Sequence, residues 1–398
     1  MSLDYRTFQS AGKISSHIIP GAYSRIDSVK GAGGLASANN GVIMGKSFGG
    51  GKPATLLQFN TVAEAVAALQ GGELMDAVRL AFDPGADVNP QRVFAMRVNT
   101  AVQAGKNLVS GANPMIALKS RDYGAYTNQI KVTVEAGSSQ GKKITFGFKQ
   151  EPNEVFDNVY RALFTIAYAG ACTMTIVNHS GAKTLTTSAG GINIDLTTFQ
   201  TIGDLASYIN SVASFTCAAV AGMEDRSPLE LDGVSAQSIA TTYTAQGTFQ
   251  AIIDTINAGA SRVEATAANA AVSRAIPDNL TVSFFTGGSD GSYTATEWSA
   301  ALLALEAEDV QIIGTPSTDS AVHAAIKTHC ALMSAVTGRK ERQFILGAVA
   351  KTGTVATDIT NATAAAIALN SKNGMYVFNG GKQRDVYGVV TDYPASYV

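Results

Sequence analysis

From about residue 280 the chain alternates between two hydrophobic periods. Short apolar runs at Leu280–Phe285, Val310–Ile313, Phe344–Val349 and Met375–Phe378 read as strands. Between them, apolar residues recur every three or four positions. The first such stretch opens with Thr294 and Glu297 at capping-box spacing and puts Trp298, Ala301, Leu302 and Leu305 on one face. Two more run over about 319–336 and 363–369. Strand–helix alternation of this kind predicts a largely parallel sheet covered by helices.

The first 150 residues are less regular. Residues 1–18 are polar with scattered apolar positions and no sustained period, which predicts an arm. Pro20-Gly21 marks a turn entering a strand to Ile26, and Gly41–Gly45 is a short apolar strand followed by the loop Lys46–Pro53. Thr61 and Glu64 open a helix to Leu69. Leu74, Ala77, Val78, Ala81 and Phe82 mark another that stops before Pro84, and strands are predicted at Val93–Val98 and Ile130–Val134. From about 150 to 275 the character changes. A helix is expected with Phe156, Val159, Tyr160 and Leu163 on one face, then strands Thr173–Asn178 and Ile192–Leu196. A helix starting at Thr201/Asp204 and a strand Phe215–Val220 follow, and the stretch from Met223 to about Thr248 reads as loop.

The expected fold is therefore α/β and α+β and multi-domain. Its C-terminal part is a helix-covered, mostly parallel sheet, and an α+β domain is inserted in the middle. The expected boundaries are an arm at 1–18, an α/β region at 19–149, the insertion at 150–275 and the C-terminal α/β core at 276–398.

Composition narrows the function. Only 15% of the 398 residues are charged, against about 25% in an ordinary soluble domain. A net charge of −2 supplies no basic field for nucleic acid or an anionic membrane. Cys172, Cys217 and Cys330 are too far apart for a CxxC site and do not indicate a disulfide framework. Asp4 and Arg6 stand where a secretory peptide would begin its apolar run, and Ala162–Met174 is too short to span a bilayer, so folding in a cytoplasm is expected.

Candidate chemistry is sparse. Gly41-Val42-Ile43-Met44-Gly45-Lys46-Ser47 looks like a phosphate loop but has three residues between its glycines where four are needed, and Asn40 stands where glycine should. The strand Val310–Ile313 with Gly314-Thr315-Pro316 lacks a GxGxxG. His323 and His329 share a helix at a spacing of six, outside the i, i+4 geometry of a metal pair; a buried, hydrogen-bonded role is expected for His329. Adjacent positions His329 and Cys330 diverge on a helix and make no catalytic pair. Glu306, Glu308 and Asp309 read as a solvated helix end. Arg339, Lys340 and Arg342, interrupted by Glu341, read either as a solvated turn or as partner-facing charge for an acidic protein surface. No catalytic, cofactor-binding or metal residues are assigned.

The ordered series of segments resembles the contractile tail sheath proteins of bacteriophages and related injection machines. The resemblance rests on Pro20-Gly21-Ala22-Tyr23, the strand and loop Gly41–Pro53, the strand Phe94–Val98 and Ala117–Gly124 with Asn128-Gln129-Ile130. It continues with Phe285-Thr286-Gly287-Gly288-Ser289-Asp290-Gly291, Trp298 to Glu306, and the helix bearing His323 and His329. It covers about 18–135 and 280–398. The middle matches only loosely, and the family pattern would continue beyond Val398. The resemblance implies a structural subunit, without cofactor or nucleotide, that polymerises with itself as stacked six-fold rings around a tail tube protein. Contraction would drive the tube through the target envelope. Further implied partners are a baseplate and a tail terminator, with no direct nucleic acid and no membrane insertion. The implied location is the virion tail sheath, assembled in the host cytoplasm. The arm, with Leu3, Tyr5, Phe8, Ile14 and His17 among polar residues, is expected to connect subunits; sixteen extended residues reach roughly 50 Å. An α/β enzyme with its site in the 280–398 sheet, or a static virion protein, are the alternatives.

Overall fold

A computed structural model describes residues 5–10, 13–18, 40–83, 90, 92–338, 340–348, 353–378, 380–384 and 388–393. The expected strand Pro20–Ile26 lies outside them. The chain divides into two compact units, Met1–Asn40 and Gly41–Val398. In the first, Tyr5–Ser10 and Lys13–Ile18 pair antiparallel, Tyr5 opposite Ile18 and Ser10 opposite Lys13. The arm is thus a hairpin. Its weak period hid two strands because Gln, Ser and Thr share them with the apolar residues.

Seven α-helices lie among the described residues of the second unit: α1 Val62–Leu69, α2 Glu73–Ala81, α3 Ile202–Ser211, α4 Thr248–Gly259, α5 Ala295–Leu305, α6 Ser320–Met333 and α7 Val355–Leu369. Local sequence explains their starts. The Thr61 hydroxyl accepts from the Glu64 amide, Thr201 does the same for Asp204, and Thr294 with Glu297 forms a complete capping box.

A six-stranded sheet organises the first and last thirds of the unit. Its order is Gly374–Val377, Gln343–Gly347, Ile312–Gly314, Gly41–Gly45, Val93–Arg97, Leu56–Phe59. All neighbours run parallel except the last pair, where Leu57 faces Ala95 antiparallel. One face packs Val42, Met44, Met96, Ile313, Phe344 and Leu346 against α5 and α6, with Trp298 fully buried among them. The other packs Phe59, Val93 and Ala95 against α1 and α2. The mostly parallel, helix-covered sheet is present, and it draws half of its strands from residues 41–97.

A second core joins two sheets to α4. One sheet orders Val263–Ala267, Asn113–Ser120, Gly105–Ser110; the other orders Glu154–Val159, Lys142–Phe148, Ile130–Ala136, Leu280–Phe284. The strand at Leu280 therefore pairs antiparallel with the strand at Ile130 and does not begin the parallel run. A third core is built from Leu163 to Ala245 alone, with α3 against the strands Ala162–Tyr168, Thr173–His179, Ala182–Thr187 and Phe215–Ala219.

The helix expected at 156–163 does not form. Glu154–Val159 and Ala162–Tyr168 are strands of two different sheets. Asn158 takes a positive φ of 56° and its side-chain oxygen accepts from the Ser139 and Gln140 amides, which breaks the run. Valine and aromatic residues fit paired strands, and a three-residue recurrence over so few positions also fits a bulged strand. The stretch read as loop before Thr248 holds the strands Val234–Ser238 and Tyr243–Gln246.

Candidate functional site: a buried junction of four motif segments

The strands Gly41–Gly45 and Val93–Arg97 end side by side, Gly45 beside Arg97. There, four segments quoted from the sequence converge: Ser47–Gly51, Arg97–Asn99, Asp122–Asn128 and Gly288–Gly291. Arg97 closes its strand with a side chain that is 0% exposed. Its guanidinium donates to the carbonyls of Tyr123 (2.8 Å), Ser47 (3.0 Å), Phe48 (3.2 Å) and Gly51 (3.4 Å), and its Nε to Asn99 Oδ1 (3.3 Å). That fork geometry is one only arginine offers. Asn99 Nδ2 donates to the Ser47 and Asp290 carbonyls at 3.1 and 2.6 Å.

Acceptors complete the network. Asp122 Oδ1 takes the Gly51 and Tyr123 amides at 2.6 and 2.7 Å, and its other oxygen takes the Tyr126 hydroxyl. Asp290 Oδ1 takes the Ala125 amide, while Asn128 exchanges two hydrogen bonds with Gly288. Burial pulls the Arg97 pKa down, and the Asp122 and Asp290 charges oppose that shift. Burial and the bond to Asp122 push the Tyr126 phenol up. Two glycines are needed for the close approach. A Cβ on Gly124, at φ 130°, would stand 2.0 Å from the Phe48 carbonyl, and one on Gly291, at φ 68°, would stand 1.8 Å from the Thr100 carbonyl.

The loop after Gly41–Gly45 is committed inward. Its amides donate from Lys46 to Glu73, Ser47 to Asn99, Phe48 to the Gly71 carbonyl, Gly49 to the Leu69 carbonyl and Gly51 to Asp122. A phosphate loop presents such amides to its ligand; these five hold the chain to itself.

Tyr5 and Phe8 lie on one strand of the hairpin and Ile14 and His17 on the other, with Gln9 opposite Ile14 and Arg6 opposite His17. Leu3 and Arg339 lie outside the described residues. Lys340 is half-buried and its ammonium donates to the Glu306 carbonyl at 2.6 Å. Arg342 corrects the expectation of a partner-facing charge, because it is 1% exposed. Its Nη2 donates to the Leu305 and Glu308 carbonyls (2.7 and 2.8 Å), and its Nη1 meets His329 Nε2 at 2.6 Å. The last carbonyls of α5 have no intrahelical donors, and the negative end of a helix favours a cation. His329 is buried and hydrogen-bonded, as expected, and His323 meets the Ser317 carbonyl at 2.7 Å. Burial, with the Arg342 charge adding to it, lowers the His329 pKa to about 4. The three cysteines are free and buried, and burial raises the Cys217 and Cys330 thiols to about 12. Among the described residues no cluster of three His, Cys, Asp or Glu side chains could hold a metal, and no helix is long and apolar enough to cross a membrane.

The fold and this inward-facing junction define a multi-domain α/β protein whose motif residues tie sheets together. No protein-family model matches the chain. Over 345 residues, 82% of its length, it is 25% identical to the tail sheath protein of Bacillus phage SP01, of which it covers 58%. A putative tail sheath protein of Enterococcus phage phiEF24C is 32% identical over 166 residues, 39% of this chain and 28% of that one. Among solved structures, a sheath tail protein from Desulfitobacterium hafniense matches with a TM-score of 0.44 at 14% identity, covering 95% of this chain and 60% of that one. The chain is similar in sequence to phage tail sheath proteins, and the resemblance read from the motifs is to the same family. It spans somewhat over half the length of its Bacillus relative, and none of these relatives' names denotes an enzyme.

Proposed function

We propose that the chain is a structural subunit of a contractile tail sheath, polymerising with itself as stacked six-fold rings around a tail tube, and so a component of a virion tail. The observation that carries this reading is the match to a tail sheath protein along 82% of the chain. The Arg97 junction then has a mechanical role. It locks the six-stranded sheet to the neighbouring strands at Asn113–Ser120 and Ile130–Ala136, so that load passes through a fully hydrogen-bonded polar core. Baseplate, terminator and tube contacts, and assembly in the host cytoplasm, belong to the same reading.

Two further parts follow. The hairpin at residues 5–18 is a connector that adds its strands to a neighbouring subunit, where edge pairing supplies backbone hydrogen bonds. The middle insertion is an outward domain narrower than 150–275, because the core from Leu163 to Ala245 closes without α4. Negative-stain microscopy of the concentrated protein tests the reading. Hollow tubes or rings are expected; particles that stay monomeric at every concentration would refute it.

A further inference from the structure

In the hairpin Thr173–His179/Ala182–Thr187, the residues facing the third core are Met174, Ile176 and Leu185, then Asn178 with Lys183 directly opposite. Lys183 is half-buried, and its ammonium makes no hydrogen bond or close ion pair among the described residues; Asp195 on the adjacent strand acts on it electrostatically but outside the cavity. Lys183 faces a cavity of about 220 Å³ between this hairpin and the second core, floored by Met115 and Phe249. By the ~30 Å³ share of a water molecule, that is room for several heavy atoms.

The polar lining has one sign. Arg274 reaches the cavity with its guanidinium 5.4 Å from the centre of the Phe249 ring and one hydrogen bond, to Gln250. His179 Nδ1 accepts from the Gly181 amide, so in the neutral ring the proton sits on Nε2 as a donor. Asn269 uses its oxygen on the Ala271 amide, leaving its amide N–H groups. No carboxylate lines the cavity. The acids that interact with Arg274 are engaged elsewhere: Asp232 by the Thr248 and Phe249 amides, Glu230 and Asp254 by Arg161.

We propose that this cavity binds a small oxyanion, a phosphate or carboxylate group carried on a compact polar body, with Lys183 and Arg274 holding its charge and Phe249 and Met115 against its carbon skeleton. Charge-assisted donors converging beside an apolar wall suit an anionic sugar or polyol phosphate better than a bare halide. The site belongs to the middle of the chain and stands independently of the polymer reading.

Titration calorimetry of the full chain, with inorganic phosphate, glycerol phosphate and glucuronate each measured against chloride at equal ionic strength, tests the assignment. Saturable one-to-one binding of at least one of them is expected. Lys183→Gln should weaken it at least tenfold, Lys183→Arg should retain it, and Lys119→Gln, an exposed control, should leave it unchanged. A stronger response to the phosphates identifies a phosphate ligand and the reverse a carboxylate. Absence of saturable binding by all three, or binding that survives Lys183→Gln, overturns the proposal.

Discussion

Acidification should loosen the six-stranded sheet through one side chain, His329. In the folded chain its ring is 6% exposed, beside the Arg342 guanidinium at 2.6 Å, and titrates near 4. An unfolded histidine titrates near 6.5. Between those values the unfolded chain holds the extra proton, so the stability His329 contributes is complete above pH 6.5 and is lost as pH falls to 4. At 1.36 kcal/mol per unit, the loss between pH 7 and 4.5 is about 2.5 kcal/mol. His329→Gln keeps an acceptor for Arg342 and removes the titration. The assay is urea unfolding followed by the fluorescence of the single tryptophan, Trp298, which is fully buried in the same core. With urea slopes of about 1–3 kcal/mol per molar, the native chain should lose roughly 1–2 M of midpoint relative to the variant across that range. Asp232, which burial raises to about 7, works in the opposite direction but is present in both proteins and cancels in the difference, as does His323. Parallel pH profiles for the two proteins, within about 0.5 kcal/mol, would refute the argument.

Other outcomes follow from the same structure. Arg97→Met strips the partly buried Tyr123, Phe48 and Gly51 carbonyls of their donor, while Ser47 and Asn99 keep each other, and should cost about 3–5 kcal/mol in the Trp298 transition, whereas Arg97→Lys should recover only part of it; a change below 1 kcal/mol would count against the junction. Removing residues 2–16 should leave that transition unchanged and abolish tubes or rings, and truncated protein that polymerises normally would end the connector reading. The Gly247 amide donates to the Arg161 carbonyl at 2.9 Å, so excising residues 162–246 with a two-glycine bridge should leave a soluble chain with its Trp298 transition intact; loss of that transition would show that the third core supports the others.

Much of the C-terminal architecture was legible because its elements are locally specified. The Thr294/Glu297 box and the face Trp298, Ala301, Leu302, Leu305 place α5 without reference to the rest of the chain. Sheet membership was not, since parallel pairing of Gly41–Gly45 with Ile312–Gly314 leaves no local signature in either strand. The region after Glu154 misled for a different reason: Asn158 turns the strand with a left-handed residue that no hydrophobic period encodes. At the junction, the motifs carried the right segments but not their use. Arg97 reads as an ordinary polar strand end, and only the folded chain brings Ser47, Tyr123 and Asp290 to it. Arg342 misled similarly, because a basic cluster beside a strand looks solvated until the Leu305 carbonyl at the end of α5 and the Glu308 carbonyl just after it are placed against it.

The position of Gly41–Gly45 in the middle of its sheet has a consequence for synthesis. Its neighbour on one side, Val93–Arg97, follows within about 50 residues, but its neighbour on the other is Ile312–Gly314. At ribosomal rates of about 5–20 residues per second, the emerging chain waits roughly 13–53 s with that strand edge open while everything between is made. Throughout that interval Val42 and Met44 lack α5 and α6 over them, and the exposed ladder is a template for pairing with another nascent chain. On a polysome crowded with copies of the same chain, exposure of this edge during translation should limit yield, and expression should respond to added chaperone or to slower initiation.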